Sequence, residues 1–333
     1  MQLIFPFKLV SIETGIVLLL FATILGFTLY TIGNYVYKAF EGYVFILAKP
    51  TALRSTFLKR QMRRYRKAVL QRDQVIKKLE RVEQKLDYEI KHPTFGKWYT
   101  NRVNRLAEQQ QSLRSAKYHL TSTLEYSFPP SENLIMPTRF GNVLRAAESY
   151  SKRYGIDSVP LWGRLVSAMP SQEEGGMMEK INEANNQCQF LLNGVLLGVA
   201  FACICLAATA YESILWWTHP AINHQNGQLA IIYFVIMIIA IALAWFFYEA
   251  SLLNVGQFGG MIRAAIDLYR FHLLEALHLD LPKTLHEEKK IWVKLSYFVT
   301  GNLDYNDQNL INNSLESEDS IDFEYVHSKA TAP

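Results

Sequence analysis

Much is missing from this sequence, and each absence narrows what the chain can be. It has no Gly-rich phosphate loop ending in Lys-Ser/Thr, no His-Glu-x-x-His, no Gly-x-Ser-x-Gly and no Cys-x-x-Cys. The common short motifs for phosphate, zinc and nucleophile chemistry are therefore excluded. Only three cysteines occur, Cys188, Cys203 and Cys205, and all lie at or inside one apolar stretch. No disulfide framework is implied, and small apolar packing is their expected use. The eight histidines are scattered, with His219 and His224 a weak metal pair. We expect a non-enzyme with no catalytic, cofactor-binding or metal-binding residues and no cofactor. Basic residues are scarce in two places: residues 218–228 hold no Lys or Arg, and the first dozen residues hold one.

Long apolar runs are what the chain does have. Residues 15–37, 190–217 and 229–247 are each long enough to cross a bilayer, whose hydrocarbon core takes roughly 20 apolar residues at about 1.5 Å rise. An integral membrane protein follows. The first run carries Glu13 ahead of it and lacks a small-x-small cleavage site after it, so it reads as an uncleaved helix rather than a signal peptide. Of the 34 Lys and Arg, 26 lie between residues 38 and 189 and seven follow Ser251. The positive-inside rule then places residues 1–13 outside, the bulk and the C-terminus in the cytoplasm, and a short loop outside. Trp216 and Trp217, and the aromatic residues from Trp245 to Tyr248, fall where interfacial belts belong.

The expected fold is all-α. Transmembrane helices at 14–37, 189–217 and 228–252 are joined to a hairpin at 50–126, a juxtamembrane helical segment at 127–187, amphipathic helices at 253–300 and a disordered acidic tail at 301–333. The hairpin rests on two alternating three-and-four spacings, Leu58, Met62, Tyr65, Val69, Arg72, Ile76, Leu79, Glu83, Leu86, Ile90 and Val103, Leu106, Gln110, Leu113, Lys117, Leu120, Leu124. A Pro93/Gly96 turn separates them, which predicts an antiparallel coiled coil about 55 Å long. Residues 54–117 contain 18 Lys and Arg against six Asp and Glu. The densest run is Lys59, Arg60, Arg63, Arg64, Arg66 and Lys67. Such clusters meet anionic headgroups of the inner leaflet or a cytoplasmic protein partner. Nucleic acid is disfavoured, because no nucleic-acid fold accompanies the run and only Tyr65 interrupts it.

Between hairpin and membrane the chain reads Pro137-Thr-Arg-Phe-Gly-Asn-Val-Leu-Arg-Ala-Ala-Glu148, then Arg153-Tyr-Gly-Ile-Asp157. Thr138 or Asn142 is suited to cap a short helix stopped by Gly155. These residues resemble an uncharacterised family of bacterial inner-membrane proteins with a Pro-Thr-Arg-x-Gly-Asn-x-Leu-Arg-Ala-Ala-Glu signature. The similarity continues through 262–274 and Glu288-Lys-Lys-Ile-Trp292 and covers roughly 128–295. It implies bacterial origin and an inner-membrane location, and it brings no activity.

Charges alternate in both segments: Arg139, Arg145, Glu148, Arg153 and Asp157 in the first, Arg263, Asp267 and Arg270 at spacings of four and three in the second. We expect these opposite charges to join the two segments into one juxtamembrane domain. The glycine-rich run from Gly256 to Gly260 reads as the entry to the second. Gly194, Gly198 and Ala202 form a small-residue stripe for packing within the chain or for a homo-oligomer. Glu212 and Glu249, near helix ends, are the gating candidates.

Two functions fit. One is a non-enzymatic membrane scaffold or sensor presenting the basic hairpin to a cytoplasmic partner. The other is an oligomeric channel or membrane-permeabilising effector, such as a bacterial defence protein, gated by its cytoplasmic region. The topology has a direct check. With single cysteines at Gln84, His224 and Ser317 in a cysteine-free background, an impermeant thiol reagent on intact cells should modify the His224 site alone. Labelling at Gln84 or Ser317 would reverse the orientation.

Overall fold

The structure is a computed structural model that describes residues 12–43, 51–94, 96–169, 176–218, 224–300 and Tyr325. The expected outer N-terminus up to residue 11, outer-loop residues 219–223 and all of the expected acidic tail except Tyr325 lie outside these residues. Eight α-helices are present among them: α1 (Ile12–Glu41), α2 (Ala52–Lys91), α3 (Lys97–Ser127), α4 (Arg139–Ser149), α5 (Ser158–Ala168), α6 (Met177–Thr218), α7 (His224–Ala276) and α8 (Leu285–Thr300). No β-strand occurs among the described residues.

Three helices are long and apolar enough to cross a membrane, over Leu19–Glu41, Met177–Thr218 and Gly227–Ala276. Five of their hydroxyls are satisfied inside the helix: Thr23, Thr28 and Thr31 donate to carbonyls one turn back, as do Thr209 and Ser213. In hydrocarbon every backbone and hydroxyl group needs such an internal partner.

The chain divides into two units. The first comprises Met1–Phe45 and Gln187–Ser251. Within it the small stripe of α6 faces α7. A Cβ added at Gly198 would lie 2.9 Å from the Ala244 Cβ, and one at Gly194 would lie 3.0 Å from the Phe247 ring. Ala202, Ala240 and Ala244 are buried. Small side chains let these two backbones approach closely, which is how helices gain contact where lipid removes the hydrophobic drive.

The second unit comprises Ile46–Asn186 and Leu252–Pro333. Helix α2 starts at Thr51, whose hydroxyl accepts from the Arg54 amide at 3.2 Å. Helices α2 and α3 pack antiparallel: Glu83 takes Gln110 and Arg114, and Glu89 takes Arg102. Leu79, Val82 and Leu124 are buried between them or at their root. The seam departs from its expected register near the turn. Ile90 is exposed and Glu89 is buried, because the inward face advances three residues from Leu86; Arg102 pairs with the Glu89 carboxylate, and the Tyr99 hydroxyl donates to the Glu89 backbone carbonyl. On α3, Lys117 is exposed and the smaller Ala116 takes the inward position.

Thr138 caps α4 by accepting from Gly141 at 2.9 Å. Asn142 has a different task. It is fully buried and ties down the preceding loop, accepting from the Met136 amide at 2.7 Å and donating to the carbonyls of Met136 and Thr138. A 3-10 turn, Tyr150–Tyr154, follows, and Gly155 reverses the chain at φ 79°. Asp157 then caps α5 through the Val159 amide. The glycines 256, 259 and 260 do not open a new helix as their composition suggested: α7 runs through them unbroken. Gly259 is needed for packing, since a Cβ there would be 2.9 Å from the Ala147 Cβ of α4.

Gly155→Ala should destabilise the second unit. It would force alanine into the left-handed region and place a Cβ 2.8 Å from the Lys289 carbonyl oxygen. We expect a loss of roughly 1–3 kcal/mol in unfolding measurements on the detergent-solubilised protein. Gly163→Ala in α5, where a Cβ meets nothing within 4 Å, should be neutral or stabilising.

Candidate functional site

The charged residues singled out above converge in the second unit, but not by the pairing their spacing suggested. Arg145 and Glu148 do pair along α4, at 3.0 Å. Asp267 does not pair with its neighbours on α7 through its carboxylate. Its two oxygens instead accept from the hydroxyls of Tyr150 and Tyr154, each at 2.7 Å. Arg263 donates to the backbone carbonyl of Glu125 at 2.7 Å and lies 4.2 Å from the Tyr126 ring centroid. Arg153 stacks 3.9 Å above Tyr150, Asp157 is an exposed helix cap, and Arg139 opens α4 half-buried. The two segments are therefore joined by tyrosine-to-carboxylate bonds, in which the long phenols of Tyr150 and Tyr154 span the gap to the short Asp267 side chain, while Arg263 ties α7 to the backbone of α3.

The ion pair at the centre uses a residue that charge alternation did not reveal. Glu288 of α8 is fully buried. One of its oxygens accepts from Arg270 Nε at 2.8 Å and Trp292 Nε1 at 3.0 Å, and the other accepts from the Tyr325 hydroxyl at 2.5 Å. Arg270 also donates to the Asp267 carbonyl and is flanked by the rings of Tyr154 and Phe271. Tyr325 is further fixed by its amide, which donates to the Lys283 carbonyl at 2.8 Å, and by ring contact with Phe271. Tyr325 is the one residue of the expected acidic tail that the structure describes. The i, i+4 pair Glu288 and Trp292 was the available signal in the sequence; nothing local announced Tyr325.

Electrostatics keep these tyrosines protonated as donors. Burial, and then the hydrogen bond to Asp267, raise both Tyr150 and Tyr154. Burial followed by the hydrogen bond to Glu288 pushes Tyr325 up to about 12. All three hydroxyls therefore keep the protons they donate throughout the physiological range.

On α2 the six basic side chains Lys59, Arg60, Arg63, Arg64, Arg66 and Lys67 are all exposed. Arg66 makes a forked pair with Glu132 at 2.7 and 3.0 Å, and that hydrogen bonding holds the Glu132 carboxyl below the usual range. Glu212 and Glu249 are half-buried on α6 and α7. Among the described residues no group of three His, Cys, Asp or Glu is arranged to hold a metal ion. No protein-family model, curated protein or solved structure matches this chain.

Removing one side of the buried pair should be costly. Glu288→Ala strands the Arg270 charge, and about 3–5 kcal/mol of stability should be lost, as judged by chemical unfolding. Tyr325→Phe should lower stability at neutral pH while keeping the ring in place. The pH dependence has a definite sign. Because the folded state raises the Tyr325 pKa above its ordinary 10, its contribution is present below pH 10 and is lost as pH rises towards 12. The alkaline loss of stability should therefore be smaller in Tyr325→Phe than in the parent protein.

Proposed function

We propose that this chain is a non-enzymatic scaffold or sensor of the bacterial inner membrane, with its N-terminus outside and its bulk and C-terminus in the cytoplasm. In this reading α2 and α3 form a coiled-coil hairpin. Its base rests on anionic lipid and its turn meets a cytoplasmic protein. The observation that carries the proposal is the exposed face of α2, where six cations project while Leu58, Met62 and Tyr65 turn inward. At about 1 kcal/mol for each basic residue near an anionic surface, such a face sets orientation at low salt and loses hold over a Debye length of about 8 Å at physiological salt.

The turn end supports the partner contact. Tyr88, Ile90 and Trp98 are 62%, 58% and 66% exposed in an otherwise polar pair, and large exposed side chains gathered at one end favour recognition. The channel reading has less support. In residues 189–217 and 228–252 the only carboxylates are Glu212 and Glu249, and Thr209 and Ser213 turn their hydroxyls back onto their own helix. A conducting path needs a polar stripe, which this pattern does not offer.

The test uses the full chain in nanodiscs, with an environment-sensitive dye on a single cysteine at Gln71. We expect a spectral shift in phosphatidylglycerol-containing discs that is absent in phosphatidylcholine and fades at high salt. Replacing the six cations with Gln should abolish it. A shift that ignores lipid charge, or survives the six replacements, would sink the lipid-docking reading.

A further inference from the structure

We propose that the second unit holds a binding site for an organic phosphate bearing a planar ring, of the nucleotide class. The site is the cleft between the root of the α2–α3 pair, the 3-10 turn and α8. It goes beyond the lipid and partner contacts proposed for the hairpin and does not depend on them. The cleft encloses about 970 Å³, at the upper end of the roughly 300–1,000 Å³ typical of small-molecule sites.

Charge selects an anion. Five cations, Arg72, Lys152, Arg153, Arg263 and Lys289, line the cleft against the carboxylates of Glu125 and Asp157. Asp157 is already engaged as the cap of α5, and Arg72 is paired with Asp73. Lys152 and Arg153 are exposed and make no ion pair among the described residues. Stacking on Tyr150 holds the Arg153 guanidinium in place, which leaves its planar fork pre-organised for phosphate oxygens. Arg263 gives a second and independent indication. It is 8% exposed and lines the same cleft, yet its buried Nε has no acceptor among the described residues. An unmatched buried donor is costly, and an anionic oxygen is the acceptor a guanidinium takes best.

Shape and aromatic content select a ring. Tyr65, Phe128, Tyr150 and Tyr297 line the cleft, and Tyr65 and Phe128 are packed edge to face with centroids 5.5 Å apart. A bare phosphate would use only the cations; a flat ring carrying phosphate uses the aromatic wall as well.

The experiment titrates the full-length protein in detergent with N-methylanthraniloyl-ATP. Saturable binding is expected, displaced by unlabelled ATP but not by adenosine, inorganic phosphate or phosphatidylglycerol vesicles at matched concentration. The double variant Lys152→Ala/Arg153→Ala, at exposed positions, and Tyr297→Ala should each bind about tenfold more weakly or worse. Lys77→Ala/Lys78→Ala removes equal charge from an exposed stretch of α2 outside the cleft and should bind as the parent does. Absence of saturable binding overturns the site. So does equal displacement by phosphate or vesicles, or an equal loss in the Lys77/Lys78 variant, since either outcome reduces the signal to general attraction for anions.

Discussion

Glu288 has no exposure to solvent, and an ionised carboxylate in that position is tolerable only if its oxygens are fully met. That requirement organises the second unit. It fixes Arg270 on α7, Trp292 one turn along α8, and Tyr325 from far down the chain. Arg270, held by Glu288, presents its flat face to Tyr154. Tyr154 and Tyr150 in turn reach Asp267, which brings the 3-10 turn against α7. Gly155 lets that turn close on the backbone of α8. One buried charge therefore dictates where four chain segments meet.

The first unit solves the opposite problem. Few polar side chains lie where the Gly194–Ala202 stripe of α6 meets α7, so approach distance takes over. Gly194 and Gly198 on α6 leave room that Phe247 and Ala244 on α7 fill. Specificity here comes from what is absent at Cα, and in the second unit from what must be present around a carboxylate.

This contrast explains which features could be read in the sequence. Apolar spans, the Pro/Gly turn and the Thr138 cap are local properties, carried by adjacent residues, and all three have structural counterparts. The small stripe from Gly194 to Ala202 was visible because spacing four is a helix repeat. The polar cluster was not. Arg263, Asp267 and Arg270 share one face and invite local pairing, yet the partners of the Asp267 carboxylate lie 117 and 113 residues away. Glu89 displaced Ile90 from the seam because Arg102 was available to pair with its carboxylate. The glycines at 256, 259 and 260 looked like a break because sequence shows their flexibility but not the Ala147 side chain that Gly259 admits. Tyr325 stands in an acidic stretch with little apolar content, and the groups it docks on, Glu288, the Lys283 carbonyl and Phe271, all lie far from it in sequence.

Tyr325 lies 25 residues beyond Thr300, the end of α8, yet docks back onto that helix. Bringing two residues that far apart in sequence together carries an entropic penalty of roughly 3 kcal/mol, which the hydrogen bonds of Tyr325 to Glu288 and the Lys283 carbonyl and its ring contact with Phe271 have to exceed. Covalent continuity also supplies the high effective concentration that keeps Tyr325 in place. A single backbone cut between Thr300 and Tyr325 would remove none of the groups that Tyr325 touches and still release it on dilution, turning an intramolecular seat into a bimolecular one.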